Sequence, residues 1–294
     1  MKPARVLIFV LLAALGCPWQ MQAQPQPRLQ ISGALTAGEP ATLHLAGSGL
    51  AGSEKATLFL FGPGGAIKRE VQRGDIPLAG DELRVAGRYL VILDGRRAAF
   101  FVHAADPGQI AFLAHPSRVP AAEANAVLGA AFLFDRYQNL VLAPLPITFR
   151  LAAESGGAAI ERSVITAHGA AGVLMDAGHR SGPAHFSASA GALRADRVVE
   201  QVAADPCSLR FHAGRADDGN ILVQTEPIRD CSGNAVPDGA IVTFVSLDSA
   251  GRSTVDARIK HGYAQAELPA SNSATLSVAA GVVLGNQIQW KGNP

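Results

Sequence analysis

Asp230-Cys-Ser-Gly-Asn-Ala-Val-Pro-Asp-Gly-Ala-Ile-Val-Thr-Phe244 decides the fold, because it is the second occurrence of a pattern. Asp135, Asn139, Thr148 and Phe149 stand at the same spacing a constant 95 residues earlier than Asp230, Asn234, Thr243 and Phe244. A period of that size corresponds to one β-sandwich domain. Within the stretch, Asp and Asn favour turns because their side chains bond the nearby backbone, and Gly233 tolerates positive φ. Val242 and Phe244 follow at strand spacing and are expected in an inter-sheet core.

Reading outward, the repeat continues. Ile147-Thr-Phe149 matches Val242-Thr-Phe244, and His168-Gly169 matches His261-Gly262. Phe186-Ser-Ala-Ser-Ala-Gly191 matches Leu276-Ser-Val-Ala-Ala-Gly281, with apolar and Ser/Thr residues alternating between two strand faces. Ala121 to Ala131 is alanine-rich, but its second half precedes the Asp-x-x-x-Asn loop and reads as a strand. Upstream, Ala41–Ala46, Thr57–Phe61, Arg88–Leu93 and Ala98–Val102 read as strands, with turns at Gly62–Gly65 and Asp94-Gly95. Gly87-x-Tyr89-x-Val91 resembles the tyrosine corner of immunoglobulin-like sandwiches, with Val91 where an antibody domain carries cysteine. The expected class is all-β, with tandem immunoglobulin-like β-sandwich domains after a signal peptide. Asp106-Pro-Gly108 and Asp205-Pro206 mark the joints. The expected domains are 29–105, 109–203 and 205–292, after a Pro/Gln-rich linker at 24–28.

The third of these resembles a known family. Asp230 to Phe244, Gly262-Tyr-Ala-Gln-Ala266 and Ala274 to Gly281 are similar to bacterial Ig-like group 1 repeats, found in invasin- and intimin-type adhesins. The likeness covers the third domain best and the second less fully. It implies an extracytoplasmic stalk or binding domain. No barrel-sized strand set or lectin-like end is read in the sequence, so a small secreted or lipid-anchored protein is expected rather than a self-anchored adhesin.

The address is written at the start. Lys2 and Arg5 precede the apolar run Val6 to Leu15, and Met21-Gln22-Ala23 offers a cleavage site, so 1–23 reads as a signal peptide. The run is shorter than the roughly 20 residues of a membrane span. Leu15-Gly16-Cys17 resembles the end of a lipoprotein box, which makes Cys17 a candidate lipidation site; the alternative is a cysteine lost with the signal. Cys207 and Cys231 form an even pair in an exported chain, read as a disulfide, with two free thiols as the alternative. Of 294 residues 48 % are hydrophobic, enough for several small cores, and 17 % are charged with a net charge of +1. That balance points to neither nucleic acid nor an anionic membrane.

Candidate sites each have a plainer reading. Gly47-Ser-Gly49-Leu-Ala-Gly52 matches a dinucleotide fingerprint in letters, but a strand follows where a helix is needed, so a hairpin loop is expected. Asp217-Asp-Gly-Asn220 could offer oxygens to calcium, yet it lacks EF-hand spacing and reads as a turn. Asp135 with Asn139 and Asp230 with Asn234 could share an ion, and turn chemistry accounts for them. His179 and His185 form no zinc-like spacing, and His168 and His261 read as turn residues. No G-x-S-x-G elbow exists; a dispersed triad would need a polar cleft at a domain junction. Phe59, Phe61, Phe100, Phe101, Phe132 and Phe134 could form an aromatic strip, but core packing is expected. No catalytic residue, cofactor or metal is expected. The expected role is an exported binding or structural protein of a bacterial envelope, periplasmic, extracellular or outer-membrane-associated. It would meet a protein or glycan partner through loops or sheet edges. An accessory subunit of an exported enzyme or secretion complex is the alternative.

Overall fold

A computed structural model describes residues 28–46 and 55–292. The expected signal peptide, Cys17, most of the expected linker and the expected hairpin loop at 47–52 lie outside these. The first unit contains β1 (Arg28–Gly33), β2 (Ala41–Ala46), β3 (Lys55–Gly62), β4 (Gly65–Gln72), β5 (Ile76–Leu78), β6 (Gly87–Leu93) and β7 (Arg96–Val102). The second contains β8 (Pro107–His115), β9 (Arg118–Pro120), β10 (Val127–Asp135), β11 (Pro146–Ala153), β12 (Ile160–Ile165), β13 (Ala170–Met175), β14 (Gly182–Ala190) and β15 (Leu193–Val202). The third contains β16 (Phe211–Arg215), β17 (Ile221–Thr225), β18 (Ile241–Asp248), β19 (Gly251–Arg258), β20 (Gln265–Leu268), β21 (Ser273–Ala280) and β22 (Val283–Lys291).

One strand order is used three times. The first unit packs β1-β2-β5 against β4-β3-β6-β7, and the third packs β16-β17-β20 against β19-β18-β21-β22. The second packs β13-β10-β8 against β12-β11-β14-β15 and adds β9 in parallel beside β15. The class is therefore all-β, in tandem immunoglobulin-like sandwiches. Strand alternation builds each core. In β10 the inward residues Val127, Gly129, Ala131, Leu133 and Asp135 alternate with outward ones. Three separate cores result, one per sandwich. The second is centred on Phe112, Phe149 and Phe186, whose ring centroids lie 5.0 to 6.3 Å apart. In the third, Phe211 and Phe244 meet at 5.8 Å.

Hairpin chemistry fixes the register. His168-Gly169 and His261-Gly262 all have positive φ, as a two-residue type I′ turn needs, between the bridges Ala167–Ala170 and Lys260–Tyr263. Tyr89 does form a tyrosine corner. Its ring is buried on Phe100, and its hydroxyl donates to the Val85 carbonyl at 2.8 Å. Burial lifts the Tyr89 phenol above its usual pKa, and the Val85 bond opposes this only in part.

The expected core role of six phenylalanines holds only for Phe100, which is 8 % exposed. In β3 the inward positions belong to Leu58 and Leu60, so Phe59 and Phe61 must face outward. Phe101 faces outward beside Phe100, and Phe132 and Phe134 take the half-buried outer positions of β10.

Gly129 sits mid-strand because a ring needs its space. A methyl there would lie 2.6 Å from Cζ of Phe186. Gly129→Ala should lower stability by about 1–3 kcal/mol through overpacking. Urea unfolding checks this, and an unchanged midpoint would show that Phe186 moves aside without cost.

Candidate functional site

The repeated Asp-x-x-x-Asn loops are the best-built polar feature among the described residues. Asp135 is fully buried at the end of β10. Its Oδ1 accepts the amides of Tyr137 and Asn139 at 2.8 and 2.9 Å, which closes the turn. Its Oδ2 accepts Nδ2 of Asn139 at 2.8 Å and the amide of Ala105 at 2.9 Å. Four donors thus satisfy one buried carboxylate, and Ala105 belongs to the segment entering from the first sandwich. Asn139 then reaches the first sandwich directly. Its Oδ1 accepts the Ala86 amide, and its Nδ2 also donates to the Arg84 carbonyl, each at 2.8 Å.

The second loop repeats this bond for bond. Asp230 Oδ1 accepts the amides of Ser232 and Asn234, and Oδ2 accepts Asn234 Nδ2 and the Ala204 amide. Asn234 Oδ1 accepts the Ser181 amide at 2.9 Å, and Nδ2 donates to the His179 carbonyl at 2.8 Å. Arg84 and Ala86 stand 95 residues before His179 and Ser181, so the receiving loop obeys the same period as the clasp. Turn chemistry was legible in the sequence; the reach into the preceding sandwich was not. The signal that could have shown it is Gly87 and Gly182, also 95 apart, both at positive φ beside the receiving loops.

Burial by itself would raise the pKa of Asp135. The bonds from the Asn139 side chain and from the amides of Asn139, Ala105 and Tyr137 outweigh it and hold the group below the usual carboxylate range. Asp230 is lowered in the same way, with burial opposed by Asn234, Ala204 and Ser232.

The second clasp carries a covalent addition. Cys207 and Cys231 are joined by a disulfide, tying the entering segment to the residue after Asp230. At the first clasp the corresponding positions are Gly108 and Arg136, and a methyl on Gly108 would lie 3.3 Å from the Arg136 amide nitrogen.

The remaining candidates are dispersed. Asp218 accepts the amide and side chain of Asn220 within the β16–β17 turn. His185 is exposed on β14, and His179 serves the junction through its carbonyl. Among the described residues no three His, Cys, Asp or Glu side chains come together as metal ligands, and no helix is long and apolar enough to cross a membrane. The hollow at the first junction, about 660 Å³, is lined mainly by apolar residues, including Phe101, Leu140 and Leu142. A polar catalytic cleft is not what this junction offers.

No protein-family model matches the chain, and no curated protein matches it in sequence. Solved structures do share its fold. A solved chain of FdeC, a broadly conserved Escherichia coli adhesin, superposes with a TM-score of 0.58 at 13 % identity, over 90 % of this chain and 97 % of that one. Yersinia pseudotuberculosis InvD gives 0.50 at 12 % identity, over 90 % and 96 % of the two chains. At such identity the likeness is one of fold: tandem immunoglobulin-like sandwiches of the kind found in bacterial adhesins.

Two outcomes follow from the clasps. Asn139→Ala should raise amide exchange at Ala86 by at least about tenfold, while amides of the β11–β14 ladder keep their protection. Hydrogen exchange resolved at Ala86 checks this; an unchanged rate would mean the junction bond carries no weight. Acid should act through Asp135 and Asp230. Their folded-state pKa values are lowered. Their contribution is therefore complete above the unfolded value of about 4 and is lost as pH falls through the folded value. Urea titrations should show wild type converging on an Asp135→Asn, Asp230→Asn double variant as pH drops, and diverging from it toward neutrality.

Proposed function

We propose that this chain is an exported, non-catalytic binding or structural module of a bacterial envelope, related in role to adhesion. The observation that carries the reading is the pair of clasps, which share one hydrogen-bond pattern. A chain that spends two buried carboxylates on fixing one sandwich to the next is built to hold a surface at a set orientation. The shared fold with bacterial adhesins supports the same reading. In this proposal 1–23 directs export, 29–105, 109–203 and 205–292 are the three domains, and the partner is a protein or glycan outside the cytoplasm. Cys17, if lipidated, would tether the chain to a membrane.

Adherence tests the proposal. Cells displaying the chain should bind a protein- or glycan-coated surface better than cells lacking it. Unchanged adherence, with an exported enzyme recovered crosslinked to the chain, would replace this reading with that of an accessory subunit. Intact mass from the native envelope fixes the start: cleavage after Ala23, or lipid on Cys17.

A further inference from the structure

The outer face of the first sandwich's larger sheet is apolar, and the fold does not require it to be. Phe59 pairs with Ile92, and Phe61 pairs with Leu90 across β3 and β6. Arg88 pairs with Phe101 across β6 and β7. Phe61 is 41 % and Phe101 44 % exposed. The same pairings in the second sandwich hold Arg150 with Ser187 and Ala152 with His185. In the third they hold Val245 with Ser277 and Leu247 with Thr275. At least one member of each of those pairs is polar, whereas both members are apolar in the first sandwich. An exposed apolar patch of this kind marks an interaction site.

Its charge is one-sided. Lys68, Arg88 and Arg97 are exposed at outward positions of this sheet, and Lys68 lies 5.6 Å from the centre of the Phe59 ring. The carboxylate at the far end of the face, Glu70, is already paired with Lys55 at 3.3 Å. Arg88 stands between two hollows. One, about 460 Å³, is lined by Phe61, Pro63 and Leu90; the other is the 660 Å³ hollow under Phe101 and Leu142. The arrangement offers two apolar seats with a guanidinium between them, the donor best suited to a carboxylate.

We propose that this face docks an extended acidic peptide segment of a partner protein, with apolar side chains in the two hollows and a carboxylate on Arg88. A sugar would stack on the rings and accept from the basic groups, but it would find few side-chain acceptors for its own O–H groups. Asn139 is committed to the junction, and Gln138 is bonded to Gln109. This inference rests on the reading of the chain as a binding module and specifies where that module binds.

A random-peptide phage library panned on the secreted chain tests it, with Arg88→Glu, Phe101→Ser and, as a control on the opposite sheet of the second sandwich, Leu128→Ser. All three side chains are outward, so the variants should still fold, with at most a modest shift in the unfolding midpoint. The expected result is enrichment of peptides bearing Asp or Glu between apolar residues. Synthetic copies should bind at least about tenfold more weakly to Arg88→Glu and Phe101→Ser and unchanged to Leu128→Ser. No enrichment, peptides without acids, or binding indifferent to Arg88 and Phe101 would overturn the proposal. So would tighter binding to phosphatidylglycerol vesicles that the same substitutions abolish, which would make the face a membrane contact. If the Arg88→Glu chain still supports adherence, this face falls and the binding-module reading stands; if wild type supports none, the reading itself falls.

Discussion

A carboxylate buried without partners would be among the costliest features a small sandwich could contain, and this chain buries one at each junction. Both are tolerable because four N–H donors converge on each, two from the turn, one from the paired asparagine and one from the entering segment. That requirement organises the rest. The turn must close so that its amides point inward. The entering segment must run past the carboxylate. The asparagine, held by the aspartate, is left with one acceptor and one donor proton, and these find the loop of the sandwich before. Domain order is thus written into a hydrogen-bond count. Neutralising the carboxylate would put an O–H among donors, which is why the arrangement is sensitive to acid.

Much of this architecture was legible in the sequence. The repeat of Asp, Asn, Thr and Phe at a constant step placed the turns and the inward Phe149 and Phe244, because turn chemistry and strand alternation are local rules. The doubled His-Gly turns and the tyrosine corner at Tyr89 followed from the same rules. The junction bonds were not legible, since nothing in Asp-x-x-x-Asn says which backbone the asparagine will meet once its turn is closed. The phenylalanines were misread for a different reason. An unbroken apolar run such as Thr57-Leu-Phe-Leu-Phe61 suggests burial throughout, yet a strand can give only alternate residues to one core. The larger residues went outside.

The three sandwiches therefore share a frame and differ on their surfaces. Val91, Phe186 and Leu276 all pack inward at corresponding strand positions, while the residues beside them change from Leu90 and Ile92 to His185 and Ser187 to Thr275 and Ser277. Packing constrains the first set to apolar side chains and leaves the second set to function. The outer face of β8 and β10, with Leu113 and Leu128 exposed, shows the same freedom in the second sandwich.

The disulfide has a mechanical corollary. It closes a loop of sequence separation 24 in the third sandwich, whereas Gly108 and Arg136 leave the second without such a bond. If the chain were pulled from its ends, the second sandwich could pay out its full contour. The third would withhold the closed loop, on the order of 80 Å of extended chain at about 3.5 Å per residue. Tension would meet hydrogen bonds alone where the chain enters the second sandwich, and a covalent tie between the entering segment and the Asp230 turn where it enters the third. The two sandwiches are thus alike in fold and unlike as springs.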